Sequence, residues 1–429
     1  MSIEKSPSGY LNLIQQNRNF RFLWMGQIIS LLGDWFNLIA SASLVASLSG
    51  SGLAIGGLFV IRMLAPFLIS PFAGVLADRF NRKRLMILTD LLRVGVVLGF
   101  LLVRSSDQIW LLYALTALQL AISGIFFPTR NAILPDLVDE AELGAANALT
   151  SATWSVMAAL GAALGGFVTG RWGIYQSFAV DASTFLLSAA SLWQLHYTPI
   201  RQSAAEKSWL EHAVQQYVEG LRYLKQNLDT LIITMHKGAI NLFAGGAFQV
   251  VQVVVSEQIF IIGVGGSISL GILYAVMGIG TGIGPILGRL FTGDRDNPLR
   301  IAIALAYPLA AIGLLITASL QSFPIVILGG FVRAVATGFV WVYSNQLLFT
   351  TVPQKIRGRV FATDFAFFTL ASASSSALAG GALDRLGLSL SALLTWMAGL
   401  TLIPGLLWIA WLLRQRAKQG NDHAGRHVT

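Results

Sequence analysis

The sequence contains no cysteine among its 429 residues. A disulfide bond, a thiolate metal site and a cysteine nucleophile are therefore all excluded. The chain also lacks the Gly-x-x-x-x-Gly-Lys-Ser/Thr segment that binds nucleotide phosphates, which argues against a function driven by ATP. Its five histidines are scattered at His196, His212, His236, His423 and His427. We therefore expect no bound cofactor and no metal.

Charged residues are scarce as well. Asp, Glu, Lys and Arg make up 11% of the chain, against 55% hydrophobic residues and a mean hydropathy of +0.68. Soluble domains carry about 25% charged residues, and apolar stretches of about 18 residues or more indicate membrane spans. The net charge of +9 does not indicate a nucleic-acid partner, because the basic residues flank the apolar stretches. There they face anionic lipid head groups, so the expected partner is a lipid bilayer.

Polar, proline and glycine residues divide the apolar sequence into twelve segments of helical length. The predicted helices cover residues 22–48, 53–77, 85–103, 109–128, 146–169, 174–197, 229–255, 267–291, 299–320, 324–350, 360–383 and 389–413. We do not expect the first segment to be a cleaved signal peptide, because it is too long and carries Asp34 near its middle. The sequence predicts an all-α membrane protein with twelve transmembrane helices.

The distribution of Lys and Arg predicts the orientation, since cytoplasmic loops carry an excess of both. With a cytoplasmic N-terminus, most of the 29 Lys and Arg residues lie on the cytoplasmic side. The outer side then carries only Arg104, Arg171 and Arg385. We therefore expect both termini to be cytoplasmic, in a protein of the cytoplasmic (inner) membrane.

The chain repeats itself once. The Pro135-Asp136 pair before the fifth helix matches Pro353-Gln354 before the eleventh, and a Gly-Gly segment at 165–166 matches one at 380–381. Residues 198–228 between the halves place apolar residues at helical spacing among polar ones, as in a helix on the membrane surface. The predicted organisation is a six-helix bundle over 1–197, a cytoplasmic amphipathic linker over 198–228, and a second six-helix bundle with a short tail over 229–429. Parallel repeats of this kind are typical of transporters.

The most distinctive segment is Gly74-Val-Leu-Ala-Asp78-Arg79-Phe-Asn-Arg82-Lys83-Arg84, with a weaker echo at Gly284 to Arg289. It resembles the signature loop between helices 2 and 3 of the major facilitator superfamily. Three shorter segments, at 33–37, 127–131 and 134–138, resemble the branch that contains macrolide-efflux and siderophore-export proteins. The resemblance implies the major facilitator fold and a secondary active transporter, acting as a monomer, that moves a small molecule by alternating access.

The resemblance also implies a gating role for this loop. Asp78 can sit against the positive N-terminal end of the eleventh helix, near residues 358–361, and Arg79 and Arg82 can pair with Asp136. Asp90 and Arg93 are three residues apart, so they form either an intrahelical pair or an extension of the loop's charged network. The predicted gating residues are Gly74, Asp78, Arg79, Arg82, Asp90, Arg93 and Asp136.

Charges inside the bilayer are costly unless paired or wetted, so each is a candidate for function. Asp34 and Arg62 lie at similar depth, and Asp34 is either a structural partner of Arg62 or a protonation site that exchanges a proton for substrate. The two readings are compatible. The predicted coupling residues are Asp34, Arg62, Asp181 and Arg333.

Helices 1, 4, 7 and 10 line the substrate cavity in the superfamily. On or beside them, the predicted cavity residues are Asn37, Gln119, Lys237, Asn241, Phe248, Trp341 and Tyr343. At its shallower depth Lys237 is expected to snorkel toward the cytoplasm.

The expected function is export of an amphipathic small molecule, a drug-like compound or a siderophore, in antiport with protons or another coupling ion. Two alternatives stay open. One is a carrier of a lipid or an anionic metabolite. The other belongs to a different class, a polytopic membrane enzyme, which the scattered histidines do not favour.

Overall fold

A computed structural model describes residues 10–140, 142–197, 209–293 and 295–426, without the side chains of residues 78, 209–214, 216–217, 416 and 418–426. The described parts are helical and contain no strand. The helices are α1 (Tyr10–Gln16), α2 (Arg18–Ser49), α3 (Gly52–Arg79), α4 (Arg82–Gly99), α5 (Ile109–Leu137), α6 (Leu143–Trp172), α7 (Ile174–Trp193), α8 (Trp209–Gln226), α9 (Leu228–Ile240), α10 (Gly246–Val254), α11 (Ser267–Thr292), α12 (Asp296–Ala318), α13 (Phe323–Thr351), α14 (Gln354–Asp384) and α15 (Leu390–Arg426).

Within the described ranges, eleven helical segments are long and apolar enough to cross a membrane. Helices α9 and α10 form one of these segments, because the π-helical turn Asn241–Gly245 joins them without a break. The remaining expected span, 174–197, is helix α7, which is less apolar because serine and threonine recur along it.

Helices α5, α14 and α15 extend well beyond their predicted bounds, α5 as far as Leu137. Helix α14 begins at Gln354, directly after Pro353, and not at 360, so residues 358–361 lie in its second turn and not at its N-terminal end. Helix α15 continues to Arg426. In α14 and α15 the hydropathy pattern predicts only the apolar part of the helix, and polar residues continue the helix beyond it.

The long helices pack in two groups, which are joined mainly by two contacts and to a smaller extent by α10 against α3. In the first, α2 packs on α6 and α7, and α4 on α5 and α7. In the second, α12 packs on α13 and α15, and α14 on α9 and α10. The groups meet where α3 packs on α14 and where α6 packs on α11.

These two contacts are tightest toward one end of the molecule. A Cβ added at Gly166 of α6 would lie 2.7 Å from the Cα of Gly271 in α11, so only glycine permits this approach. At the same end, the Asp384 carboxylate of α14 accepts hydrogen bonds from the backbone N–H groups of Gly52 and Leu53, both at 2.9 Å. Toward the other end, a Cβ added at Gly74 of α3 would meet no atom within 4 Å. The second half of α3 and the first half of α6 are also more exposed than their other halves. The interface is therefore closed at the Asp384 end and looser at the end that carries the α3–α4 turn.

Candidate functional site

Arg93 of α4 is the centre of a charge cluster inside the first helix group. Its Nη2 donates to Asp90 Oδ1 at 2.7 Å and to Ser30 Oγ at 2.6 Å, and its Nη1 lies 3.4 Å from Asp34 Oδ1. The guanidinium stacks on Phe185, 3.9 Å from the ring centroid. The intrahelical pair of Asp90 and Arg93 is thus present, and it lies with Asp34 among the helices, not beside the α3–α4 turn.

The two carboxylates that share Arg93 differ in environment. Asp90 is fully buried, and its second oxygen accepts a hydrogen bond from Ser188 Oγ at 2.6 Å. Asp34 has the longer contact with Arg93, and 22% of its side chain is exposed. Arg93 is therefore held mainly by Asp90, while Asp34 is the weakly held carboxylate that water can reach.

Of the two compatible interpretations of Asp34, the direct pairing with Arg62 is not present in the structure. Among the described side chains Asp34 pairs with Arg93, and Arg62 forms no ion pair. Arg62 still lies within electrostatic range of Asp34 and Asp181, and of Tyr274 in α11. Arg93 pairs with Asp34 because α4 packs with Arg93 against the face of α2 on which Ser30 and Asp34 lie.

Asp181 of α7 completes the cluster. It is buried and accepts a hydrogen bond from Asn37 Nδ2 at 3.1 Å, while its Oδ1 has no partner. Gly33 makes room for it, because a Cβ at this position would lie 2.5 Å from Asp181 Oδ1. We call Asp34, Arg62, Asp90, Arg93 and Asp181 the N-terminal charge cluster. Asn37, predicted to line the cavity, holds one of its carboxylates.

At the α3–α4 turn, Arg82 makes the expected contact with Asp136. Its Nη1 donates to Asp136 Oδ2 at 2.8 Å and to the Ala132 carbonyl at 2.9 Å. Tyr197 donates to the same carboxylate oxygen at 3.1 Å, and burial together with the Asp136 charge raises the pKa of Tyr197. Arg79 is exposed and does not join this pair. The expected role of Asp78 concerns a side chain outside the described ones.

Lys237 does not snorkel. Only 2% of it is exposed, and it forms a buried ion pair with Asp364 of α14. Its Nζ also donates to Asn345 Oδ1 at 2.5 Å and lies 5.1 Å from the centroid of the Trp341 ring. Burial on α9 against α13 and α14 holds the ammonium inside, where a carboxylate compensates it. Lys237 and Asp364 are called the C-terminal ion pair below.

Arg333 of α13 is buried, and among the described side chains no carboxylate forms an ion pair with it. Its Nη1 donates to the Ala244 carbonyl at 3.0 Å, and the guanidinium lies 3.9 Å from the centroid of the Phe248 ring. Its Nε and Nη2 have no hydrogen-bond partner, and only 1% of the residue is exposed. Ala244 lies in the π-helical turn of 241–245, and such turns are frequent at functional sites.

The other predicted cavity residues lie in different parts of the structure. Trp341 is 39% exposed beside the C-terminal ion pair, and Asn241 in the π-helical turn donates to the Lys237 carbonyl at 3.2 Å. Tyr343 instead packs between α13 and α11, donating to the Pro285 carbonyl at 3.2 Å. Gln119 is buried on α5, and its Oε1 has no partner. Trp341 and Tyr343 do not share a face of α13, because two residues along a helix change the direction of the side chain by about 200°.

Sequence reasoning did not place Ser30 or Ser188 in the site, and it did not pair Lys237 with Asp364 or Asn345. The signal for Asp364 was present, since it is an acid inside a predicted span. The serines had no such signal, because serine is common in these helices. No group of three His, Cys, Asp or Glu side chains within the described ranges could hold a metal ion.

Comparisons with known proteins agree with this architecture. The chain is 29% identical over 390 residues to the MFS-type transporter YfiS of Bacillus subtilis, covering 88% of this chain and 90% of the relative. It is 28% identical over 369 residues to the multidrug resistance protein MdtG of Escherichia fergusonii, covering 84% and 87%. The putative bacilysin exporter BacE of Bacillus amyloliquefaciens matches at 29% over 220 residues, which is 51% of this chain and 53% of the relative.

Among solved structures, the nucleoside transporter NupG superposes with a TM-score of 0.70 at 13% identity, covering 92% of this chain and 99% of that one. A POT family transporter superposes with a TM-score of 0.72 at 10% identity, covering 94% and 97%. These likenesses show the fold. The model of the family described as transmembrane secretion effector matches residues 11–426. The chain therefore belongs to the transmembrane secretion effector family of the major facilitator superfamily, and it is a transporter and not an enzyme.

Proposed function

We propose that the protein exports an amphipathic small molecule across the cytoplasmic membrane by alternating access, in antiport with protons. Twelve spans in two six-helix halves, over 1–197 and 229–429, would rock about the α3–α14 and α6–α11 contacts, with both termini cytoplasmic and one chain as the working unit. The names of two relatives, a multidrug resistance protein and a putative bacilysin exporter, support the direction. The looser interface at the α3–α4 end supports a state open toward the cytoplasm.

The charge balance of the N-terminal charge cluster is the observation that carries proton coupling. Three carboxylates, Asp34, Asp90 and Asp181, face the two guanidinium groups of Arg62 and Arg93. With every group ionised, one negative charge is uncompensated in a region where uncompensated charge is costly. A single bound proton makes the cluster neutral.

Asp34 is the carboxylate best suited to take that proton. Asp90 is sealed between Arg93 and Ser188, and Asp181 is buried beneath Asn37. Only Asp34 combines water access with a long, weak contact to Arg93. Protonation of Asp34 neutralises one of the two carboxylates that attract Arg93. The attraction between α2 and α4 then weakens, and this change couples proton binding to the movement of the helices.

The test uses purified protein in proteoliposomes loaded with a panel of fluorescent amphipathic compounds. Asp34→Asn keeps the size of the side chain but removes its titration. We expect this variant to exchange compound down a gradient at the parent rate and to lose accumulation driven by a proton gradient. Asp107→Asn, an exposed acid at the start of the fourth span, is the matched control and should keep both activities. Full proton-driven accumulation by Asp34→Asn would refute the assignment.

A second candidate is a carrier of anionic metabolites, which one observation favours. Arg333 is a buried cation with two unpartnered donor nitrogens and no carboxylate beside it in the described part of the chain. A substrate anion would compensate it. In the same proteoliposomes, this candidate requires that anionic compounds be transported in preference to cationic and zwitterionic ones, and that Arg333→Gln abolish the preference.

A further inference from the structure

The C-terminal ion pair leaves one donor and one acceptor unused, side by side. A lysine ammonium has three N–H groups. The Lys237 ammonium donates to Asp364 Oδ2 and to Asn345 Oδ1, which accounts for two of the three. Asp364 Oδ1 is buried and accepts no hydrogen bond from the part of the chain that the structure describes. The pair therefore presents an unassigned positive N–H next to an unassigned negative oxygen.

The surroundings of the pair are aromatic. Trp341 and Phe361 lie 5.1 and 5.5 Å from Lys237 Nζ, measured to the ring centroids. The Phe368 ring packs edge-on against Trp341 with the ring centroids 5.0 Å apart, and the Phe365 ring lies tilted by 30° against Phe368 with the centroids 5.8 Å apart. Trp341 and Phe365 are 39% and 49% exposed. An apolar wall thus leads from the surface of these helices to the two charges.

The location suits loading from the cytoplasm. Lys237 lies nine residues after the first residue of α9, which is about 14 Å along a helix that rises about 1.5 Å per residue. Asp364 lies ten residues after the start of α14, at the same end of the molecule. Both helix starts are at the end where the two helix groups are less tightly packed.

We propose that this site recognises a zwitterion, a substrate whose carboxylate and ammonium lie close together beside an apolar body. The substrate carboxylate takes the third N–H of Lys237, and the substrate ammonium takes Oδ1 of Asp364. The four groups form a square of alternating charge, and the apolar body packs on Trp341 and Phe365. The inference rests on the proposed transport function and adds the substrate class.

Charge balance explains the selectivity. The empty pair is neutral, and a zwitterion leaves it neutral. A monovalent anion at Lys237 weakens the hold on Asp364, and a monovalent cation at Asp364 competes with Lys237. Each leaves a net charge in a buried site, which is costly. Amino-acid and peptide-like compounds with an apolar side chain match this requirement.

The test measures binding to detergent-purified protein by calorimetry, without a membrane or a gradient. The probes are the dipeptide Ala-Phe, its N-acetyl derivative, which is an anion, and its C-terminal amide, which is a cation. We expect the parent to bind the dipeptide about tenfold more tightly than either derivative, equivalent to about 1.4 kcal/mol. Equal binding of all three probes, or no binding of the dipeptide, overturns the proposal.

Two neutral variants should change the preference in opposite directions. Asp364→Asn leaves Lys237 without its counter-charge, so the anionic derivative should become the best ligand. Lys237→Gln leaves Asp364 unpaired, so the cationic derivative should become the best ligand of that variant. Lys355→Gln removes an exposed lysine near the start of α14 and should preserve the parent order. A purely structural ion pair would lower all three affinities together, which would also overturn the proposal.

If a single variant does not fold, the double variant Lys237→Gln with Asp364→Asn removes both charges and leaves none unpaired. It should fold and bind the three probes with equal affinity, and a retained preference for the dipeptide refutes the site. Because binding is measured without a gradient, failure of proton coupling in proteoliposomes leaves this result interpretable. Intact binding with absent export would count against the transport proposal alone.

Discussion

Replacing Asp384 by alanine should open the molecule at the end where α3 and α14 touch. Helix α14 ends at Asp384, and the Asp384 carboxylate contacts the first turn of α3 in the other half. It accepts hydrogen bonds from the backbone N–H groups of Gly52 and Leu53 and from the Ser51 hydroxyl. The first N–H groups of a helix have no partner within the helix, and they favour a negative charge. Asp384 therefore caps a helix of the opposite half.

The contacts allow the size of the effect to be worked out. Loss of a side-chain cap costs about 0.5–2 kcal/mol. Asp384 satisfies two backbone donors with a full charge, but it is exposed, so solvent screens part of the gain. We therefore expect a loss of about 1–2 kcal/mol. This loss applies only to conformations in which α3 and α14 touch, so the population ratio should shift about 5- to 30-fold toward conformations open at this end.

Distances between spin labels measure this shift. The chain has no cysteine, so single cysteines at Ser106 and Leu386, both exposed, accept labels without a background. Asp384→Ala should add or enlarge a long-distance population. The matched control is Arg385→Ala, which removes the exposed neighbouring charge. An unchanged distribution in Asp384→Ala, or the same change in the control, would show that this cap does not hold the closed state.

Two further predictions concern packing and topology. Gly33→Ala places a methyl group 2.5 Å from the Asp181 carboxylate and should cost about 1–3 kcal/mol, seen as a lower melting temperature of the purified protein. Gly95→Ala, where an added Cβ meets nothing within 4 Å, should instead leave it unchanged or raise it. In intact cells, a cysteine at Ser106 should react with an impermeant thiol reagent and one at Ser208 should not, and the reverse labelling would contradict the orientation.

The helices could be predicted because their signal is local. Apolar length and glycine or proline punctuation are read within a single segment, and each predicted helix has its counterpart in the structure. The hydropathy pattern does not predict those parts of a helix that extend past its apolar residues, as at the start of α14 and the end of α15. There the residues are polar but still helical.

The charge partners could not be predicted in the same way. Counting residues along a helix gives the depth of a side chain but not the direction in which it points. From the sequence only Arg62 is predicted as a partner for Asp34, and it is the rotation and packing of α3 and α4 that bring Arg93 to Asp34 instead. The partner of Lys237 is 127 residues away, so nothing near the lysine in sequence indicates that it is buried.

The N-terminal charge cluster and the C-terminal ion pair differ in net charge, which suits them to the different roles proposed above. The N-terminal charge cluster has one more carboxylate than it has cations, so it requires a proton to be neutral. The C-terminal ion pair is neutral when empty, so it requires a ligand that brings both charges or none. Arg62 of α3 lies within electrostatic range of Asp34 and Asp181 and also of Tyr274 on α11. The Tyr274 ring packs edge-on against Trp35, the residue next to Asp34 in sequence, with the ring centroids 5.7 Å apart. In the proposed antiport, movement of α11 relative to α2 and α3 would take Tyr274 away from Arg62 and change the surroundings of Asp34. The proton requirement of the first half would then depend on the position of the second, as the proposed exchange of proton for substrate demands.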